Sequence, residues 1–479
     1  MSLRLKERLS GHPGAIAAKV QTDPQRADAL RNRERILDAA ERMLERSPSA
    51  SLSEIASAAG VSRSTLHRRF VSRDALIAAL EDRPHDTATA PDTSPLPAGR
   101  LGRERPVSLD AIHVFDVVPP AVLPDQLIAE AQRIAKVPVA LYVLDIDGSH
   151  LLHMAGPKRL PEKIDAPLAI GPELDADGLA DLRRHLARVP AAQVFPLWLR
   201  GRATGVMIAF GRPARPLGEL ARQAAAATTL ADRYTDVFAQ AQRRKQPRAA
   251  AEIQQSLLPP RIMRVTGGEI AGNVLPSYEV AGDWFDVIEN ADGIWITLAD
   301  GLGGSTRAAA ASAVALGALR ASRRSGGDIV EALVVMHQTL RELPGPRAEM
   351  TALAARWDPA TGQLTVANCG HVAPVILRGR GEVELVQVPP GPGLGGRSSP
   401  KPAERTTKLA AGDRLVVVSD GVIECGDGKA GLGIEGLIKA ALGSERETAA
   451  DTVRQIHRAV LAAGGDLADD ATAVCLSVE

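Results

Sequence analysis

Two apolar segments in the last third of the chain each run into an Asp-Gly pair, Trp295-Ile-Thr-Leu-Ala-Asp300-Gly301 and Leu415-Val-Val-Val-Ser-Asp420-Gly421. A third acidic element, Gly282-Asp283-Trp284-Phe285-Asp286, lies upstream, and a fourth, Asp469-Asp470-Ala471-Thr472, lies near the C-terminus. Carboxylates that converge without a cation repel one another, and some must then hold a proton. Magnesium and manganese prefer oxygen ligands and keep bound water, so an all-Asp centre suits them. Two such cations lower the pKa of a bridging water from about 15.7 toward neutrality and neutralise phosphate oxygens during in-line attack. No protein nucleophile is then needed. Asp-Gly is also a common turn, and Asp147, Asp177, Asp292 and Asp427 precede glycines in what look like plain turns. Singly, neither Asp300 nor Asp420 is marked as a ligand.

The elements that must position these acids read as several domains, as expected for 479 residues. Apolar residues make up 45% and aromatics 3%, so the cores must be packed with Ala, Leu and Val. Three cysteines, Cys369, Cys425 and Cys475, form no C-x-x-C pair, which argues against a disulfide framework and a structural zinc site. No apolar run approaches a membrane span and no hydrophobic signal region follows the N-terminus, so a soluble, cytoplasmic protein is expected.

Residues 258–479 hold the Asp-Gly strands. Residues 106–216 alternate strands and helices: apolar runs at 139–146 and 151–154 flank the turn at Asp147-Gly148, and a second strand pair surrounds Gly201. His150 and His153 there read as incidental surface residues. Between these regions, 217–257 reads as a helical connector. Leu230, Tyr234, Val237, Phe238 and Ala241 would form its apolar stripe, and Pro247 would interrupt it. Residues 83–105 have linker composition.

Lys+Arg and Asp+Glu balance at 57 each, but residues 1–80 hold 14 basic against 9 acidic residues. Within 26–82 the pattern is helical. Ile36, Ala40, Met43 and Leu44 recur at helical spacing, Ser51 and Glu54 form a capping-box pattern, and Gly60 ends the second helix. Ser62 would cap a third helix, Arg63-Ser-Thr-Leu-His-Arg-Arg-Phe70, and Ala56 would let two helices approach closely.

Three resemblances follow. Gln254-Gln-Ser-Leu-Leu-Pro-Pro260, Val280-Ala-Gly-Asp283-Trp-Phe-Asp286, Ala299-Asp300-Gly-Leu-Gly303, Ala367-Asn-Cys-Gly-His371, Gly412-Asp413, Ser419-Asp420-Gly-Val-Ile-Glu424 and Asp469-Asp470-Ala-Thr occur in that order. This series resembles the SpoIIE-type branch of the metal-dependent PPM protein phosphatases over about 225 residues. The resemblance implies an α-β-β-α sandwich with a two-ion manganese or magnesium site. Asp283, Asp300, Asp420 and Asp469 fall on ligand and catalytic positions, with Gly301 contributing its carbonyl and Asp470 behind Asp469. It implies phosphoserine or phosphothreonine substrates, often phosphorylated antagonists of anti-sigma factors. The chain departs from the pattern at Ala281, at Gly303-Gly304-Ser305, where many members have Gly-His-Gly, and at Cys369, read as a buried inert cysteine. His371 is read as structural.

The segment 35–76 resembles the DNA-binding part of TetR-type regulators, with Arg63, Ser64, Thr65, His67 and Arg68 facing DNA and His67 in place of the usual Tyr. A helical dimerisation module is the alternative. Residues 106–216, through Phe195-Pro-Leu-Trp-Leu-Arg-Gly-Arg-Ala-Thr-Gly205-Val, resemble a GAF sensor. The expected fold class is therefore multidomain: an all-α helix-turn-helix, an α/β GAF-like sensor and an α-β-β-α phosphatase. The protein is expected to be a signal-regulated phosphatase and a homodimer. The competing expectation is a DNA-binding regulator whose phosphatase fold is an inactive binding module.

Overall fold

A computed structural model describes residues 39–40, 52–60, 66 and 118–479, apart from 167–168, 188, 190–191, 245, 247, 277–281, 304–305, 380, 390, 427–430 and 465–468. The chain divides into two compact units, Met1–Gly102 and Arg103–Glu479. In the first, helix α1 (Leu52–Ala58) buries Ile55 and Ala56. It ends where the Ala59 amide donates to the Ile55 carbonyl at 2.9 Å, followed by Gly60 at φ 63°. That is the left-handed turn the sequence requires. Leu66 is fully buried. Ser51, Arg63, Ser64, Thr65, His67, Arg68 and the 83–105 linker lie outside the described residues.

The second unit opens with α2 (Leu123–Ala135), β1 (Val139–Leu144), β2 (His150–Ala155), β3 (Lys163–Asp165), α3 (Ala176–Leu186), β4 (Ala192–Leu199), β5 (Arg202–Phe210) and α4 (Gly218–Ala231). The strands form one antiparallel sheet in the order β3-β2-β1-β5-β4. Both expected hairpins are present. The second turns at Arg200 and Gly201, with φ 49° and 87°, the left-handed pair that a two-residue hairpin needs. Alternating side chains of β1 serve two cores. Leu141 packs with Leu127 of α2 and Ala224 of α4, while Ala140 and Tyr142 pack with Leu182 of α3. His150 and His153 stay apart in role: His150 bonds Asp145 at 3.2 Å, whereas His153 packs edge-on to Tyr142.

The connector departs from a single stripe. Helix α4 stops at Ala231, a short α5 (Val237–Ala241) follows, and α6 (Ala249–Leu257) begins after a further break. Leu230 is 50% exposed and Tyr234 79% exposed, while Phe238 is buried. The hydroxyls of Thr228 and Thr229 bond carbonyls one turn back, at Ala224 and Ala225, which loosens the end of α4. Thr235 Oγ1 then accepts the Val237 amide and starts a new helix. Pro247 lies outside the described residues.

The rest of the unit comprises β6 (Ile262–Val265), β7 (Gly268–Leu275), β8 (Trp284–Asn290), β9 (Gly293–Gly301), α7 (Thr306–Arg324), α8 (Ile329–Glu342), β10 (Met350–Asp358), β11 (Gln363–Cys369), β12 (Val375–Leu377), β13 (Val383–Leu385), β14 (Glu404–Lys408), β15 (Arg414–Val418), α9 (Asp420–Ile423), α10 (Gly433–Leu442), α11 (Ala449–Ala462) and β16 (Ala471–Val478). They form two sheets, β14-β11-β10-β9-β8 and β13-β12-β15-β16-β7-β6. Phe285, Leu298 and Leu353 of the first meet Ile270, Leu415 and Val474 of the second in the central core. Leu316 and Leu333 from α7 and α8 cover the outer face of the first sheet, and Leu437 and Ile456 from α10 and α11 cover the second. The layers are therefore α-β-β-α. Strands covered on both faces read as continuous apolar runs, and all nine residues of β9 are buried.

Candidate metal centre

The acids gather at one edge of the two sheets. Asp300 ends β9 in one sheet, while Asp420 and Asp469 adjoin β15 and β16 in the other, and carboxylate oxygens of all three lie within 4.8 Å of one another. Antiparallel pairing produces the second half: Val418 sits opposite Ala473, which brings Asp420 beside Asp469 across 49 residues of chain. Ser419 closes the end of that ladder. Its amide donates to the Thr472 carbonyl at 3.0 Å, its hydroxyl donates to the Asp470 carbonyl at 3.2 Å, and its Oγ accepts the Thr472 amide at 3.0 Å. Gly421 has a steric cause, since a Cβ there would stand 2.1 Å from the Asp470 carbonyl oxygen.

Asp283 lies outside the group of three and just behind it, fully buried. Its Oδ2 accepts the Thr472 hydroxyl at 2.5 Å, and its Oδ1 has no hydrogen-bond partner. Burial raises its pKa well above the carboxylate range, and the charge of Asp300 adds to the rise. Asp300 is pushed up to about 7 by burial and then by the charge of Asp420. Burial also raises Asp469. Oδ1 atoms of Asp300 and Asp420 likewise lack hydrogen-bond partners. Crowded, desolvated carboxylates with open lone pairs are a donor set that fits a hard divalent cation.

Asp470 does a different job from its neighbour. It is fully buried, and its Oδ2 accepts from Gln254 Nε2 at 2.6 Å and from the Gly282 amide at 3.3 Å. Gln254 also donates to the Asp283 carbonyl at 3.0 Å, so α6 is pinned directly to the centre. Gly282 adopts φ 120°, and its carbonyl accepts Ser312 Oγ of α7 at 2.6 Å. A Cβ on Gly301 would meet that same Ser312 Oγ at 3.3 Å. Asp286, the last acid of the upstream element, points away and pairs with Arg320 and Arg323 of α7.

Thr472, Ser419, Gln254 and Ser312 escaped the sequence analysis as site residues. The first three stand inside quoted motifs, whereas nothing in the small-residue run around Ser312 marks it. His371 is buried, bonds Thr351 Oγ1 through Nδ1 at 2.7 Å and is pushed down to about 4 by burial, which keeps it neutral. Burial pushes the Cys369 thiol up to about 12, so it is a poor nucleophile.

A helix-flanked double sheet with a carboxylate centre at its edge defines a class, and the chain's similarities agree with it. Residues 290–479 match the family described as Stage II sporulation protein E (SpoIIE), and residues 36–80 match the bacterial regulatory proteins of the tetR family. The protein thus carries a SpoIIE-type PPM phosphatase domain and a TetR-type helix-turn-helix segment. One relative is the HTH-type transcriptional repressor LfrR of Mycolicibacterium smegmatis, 39% identical over 106 residues, which are 21% of this chain and 56% of the relative. The chain thus spans about half the length of that curated relative.

Among solved structures, the RsbU and RsbW domains of Rv1364c from Mycobacterium tuberculosis match with TM-score 0.41 and 23% identity, covering 46% of this chain and 62% of that one. The SiaA-PP2C domain of Pseudomonas aeruginosa matches at 0.38 and 19%, covering 43% and 86%. The phosphatase domain of SpoIIE from Bacillus subtilis, solved with a fragment of its regulatory domain, matches at 0.38 and 19%, covering 44% and 63%. No helix among the described residues is long and apolar enough to cross a membrane.

Proposed function

We propose that this protein is a signal-regulated protein-serine/threonine phosphatase that uses manganese or magnesium. The observation that carries this is the convergence of Asp300, Asp420 and Asp469 from two different sheets, with open lone pairs on Asp300 and Asp420 and, among the described residues, no ion pair to any of the three. Asp300, Asp420 and Asp469, with the Gly301 carbonyl and Asp283 behind Asp300, are the residues that would hold two ions. Bound there, the ions would lower the pKa of water and neutralise the phosphoryl oxygens of a phosphoserine or phosphothreonine. The protein's own part is positioning. Thr472 orients Asp283, Ser419 locks the Asp420 turn against β16, and Gln254 with the Gly282 amide fixes Asp470.

The substrate class we favour is a phosphorylated regulatory protein of the anti-sigma-factor-antagonist type. The TetR-type segment adds DNA as a partner through Arg63, Ser64, Thr65, His67 and Arg68, in a homodimer. The middle sheet is proposed as a GAF-like sensor whose state passes through α6 and Gln254 to the carboxylates.

The test is manganese-dependent release of phosphate from a phosphoserine protein by the wild type and by Asp300→Asn. Turnover by the wild type and none by the variant supports the assignment. Tight, specific DNA binding with no turnover of any phosphoprotein would favour a regulator in which the sandwich is an inactive module. Comparing phosphoproteomes of cells with and without the protein would name the substrate.

A further inference from the structure

A cleft of about 490 Å³ lies at the joint between the middle sheet and the phosphatase sandwich, in the volume range of small-molecule sites. Its floor is apolar: Leu141 of β1, Leu197 of β4 and Phe238 of α5 line it. Its far wall is α6 and the start of β6, through Gln255 and Arg261.

The charges lining it are mostly spent on one another. Glu173 Oε1 lies 3.1 Å from Arg202 Nε, and its Oε2 accepts the Ile262 amide at 2.8 Å. Arg261 donates to Gln255 Oε1 at 2.8 Å and to the Pro259 carbonyl at 3.1 Å. Arg243 donates to Glu252 at 2.7 Å and to the Ala239 carbonyl at 2.6 Å. The hydroxyls of Thr228 and Thr229 are committed to their own helix. Two lining carboxylates remain, Asp232 and Asp236, one helical turn apart in sequence at the α4–α5 junction. Among the described residues, neither carboxylate makes a hydrogen bond or an ion pair. Three arginines face four carboxylates among the lining residues, so the surplus of the lining is negative. The charges of Arg233 and Arg243 act on Asp232, which leaves Asp236 as the acid that carries the surplus at this rim.

We infer that the cleft binds a small organic cation. The ligand carries an ammonium or guanidinium group on a compact apolar body, with the charge at Asp232 and Asp236 and the body on Leu141, Leu197 and Phe238. A small anion finds each lining arginine already bonded, Arg261 through both terminal nitrogens with only its buried Nε left open. The position gives the ligand a route to the carboxylate centre, because Gln255 in the wall adjoins Gln254, which holds Asp470 and the Asp283 carbonyl. This inference rests on the proposed sensing role and gives it a place and a ligand class.

The experiment uses the full chain and three isosteres that differ in charge: tryptamine, the neutral indole-3-ethanol and the anionic indole-3-acetate. Binding is measured by calorimetry and by the shift in Tm. Saturable binding of tryptamine is expected, with both analogues at least about tenfold weaker. Asp232→Asn combined with Asp236→Asn, at a solvent-facing junction, is expected to weaken tryptamine by a similar factor while leaving Tm without ligand unchanged. Absence of saturable tryptamine binding, equal binding of all three, or indifference to the double substitution would overturn the site. A manganese titration with and without tryptamine separates the site from the sensing role. Tryptamine binding with unchanged manganese affinity keeps the site and removes the coupling. No tryptamine binding by an enzyme that turns over a phosphoserine protein removes the site and leaves the phosphatase assignment standing.

Discussion

Arg454 of α11 and Asp175, the N-cap of α3, meet through two hydrogen bonds of 2.9 and 3.2 Å, with side chains only 3% and 4% exposed. The pair joins the phosphatase sandwich to the middle sheet across 279 residues of sequence. Asp175 also accepts the Gly178 amide and so starts α3. Around it, Arg446 reaches Asp181 of α3, and Arg202 approaches the Ile262 carbonyl of β6. The two parts therefore meet through charges withdrawn from water, which hold only while both partners are present.

Arg454→Met removes the cation and leaves Asp175 buried with its charge. Breaking a buried pair in this way costs about 3–5 kcal/mol. Chemical denaturation of the full chain checks it, and a loss under about 1 kcal/mol would show that the pair adds little to stability.

Thr472→Val keeps the shape but deletes the hydroxyl that donates to Asp283 Oδ2. Groups that orient a metal-binding carboxylate are typically worth about 10–100-fold in metal affinity. Manganese titration of activity is expected to show a loss in that range for Thr472→Val and near-normal affinity for Thr472→Ser. Equal affinity in both variants would make the contact a matter of packing alone.

Asp300→Asn takes one negative charge from a group of three within 4.8 Å. In EDTA the variant is expected to be as stable as the wild type or about 1 kcal/mol more so, because mutual repulsion falls. In manganese the order reverses, since only the wild type gains the full stabilisation from bound cation. Paired melting curves in EDTA and in manganese decide it. A variant less stable than the wild type in both would point to a purely structural Asp300.

Glu269 of β7 gives a pH dependence distant from the carboxylate centre. Burial raises its pKa from 4.5 to about 7, helped by the charge of Asp175, and its Oε1 has no hydrogen-bond partner. A carboxyl whose folded pKa is raised costs nothing below the unfolded value of 4.5. The penalty grows as pH rises toward 7 and is complete above it. Glu269→Gln removes the penalty, so it is expected to stabilise the protein by about 1–3 kcal/mol at pH near 8 and hardly at all near pH 4.5. A gain that did not vary with pH would mean that packing, not ionisation, is responsible.

Local rules were enough where an element's neighbours are close in sequence. The β1–β2 and β4–β5 hairpins follow from alternation and turn chemistry at Asp147-Gly148 and around Gly201. The buried runs into Asp300 and Asp420 are visible as strands because both faces are covered. The connector was misleading: a helical apolar pattern from Leu230 to Ala241 cannot report that the helix stops at Ala231 and leaves Tyr234 exposed before the next one starts. The acids' convergence follows from motif order, but their division of labour does not. Asp469 and Asp470 are adjacent and chemically alike. Strand geometry sends one to the cluster and the other to Gln254. Asp175 and Arg454 carry no signature at all, since nothing local marks partners so far apart.

The Ser419–Thr472 latch, with Gly421 seated against the Asp470 carbonyl, makes the alignment of Asp420 and Asp469 a property of backbone register. The 47 residues of the stretch 422–468 between them contribute two helices to the outer layer and none of the three clustered carboxylates. That stretch can accept insertions, tags or grafted binding segments without disturbing the carboxylates, provided its helices still cover the second sheet. In this architecture, recognition of new partners can be added between two acids of one cluster, because their spacing does not depend on the length of chain that joins them.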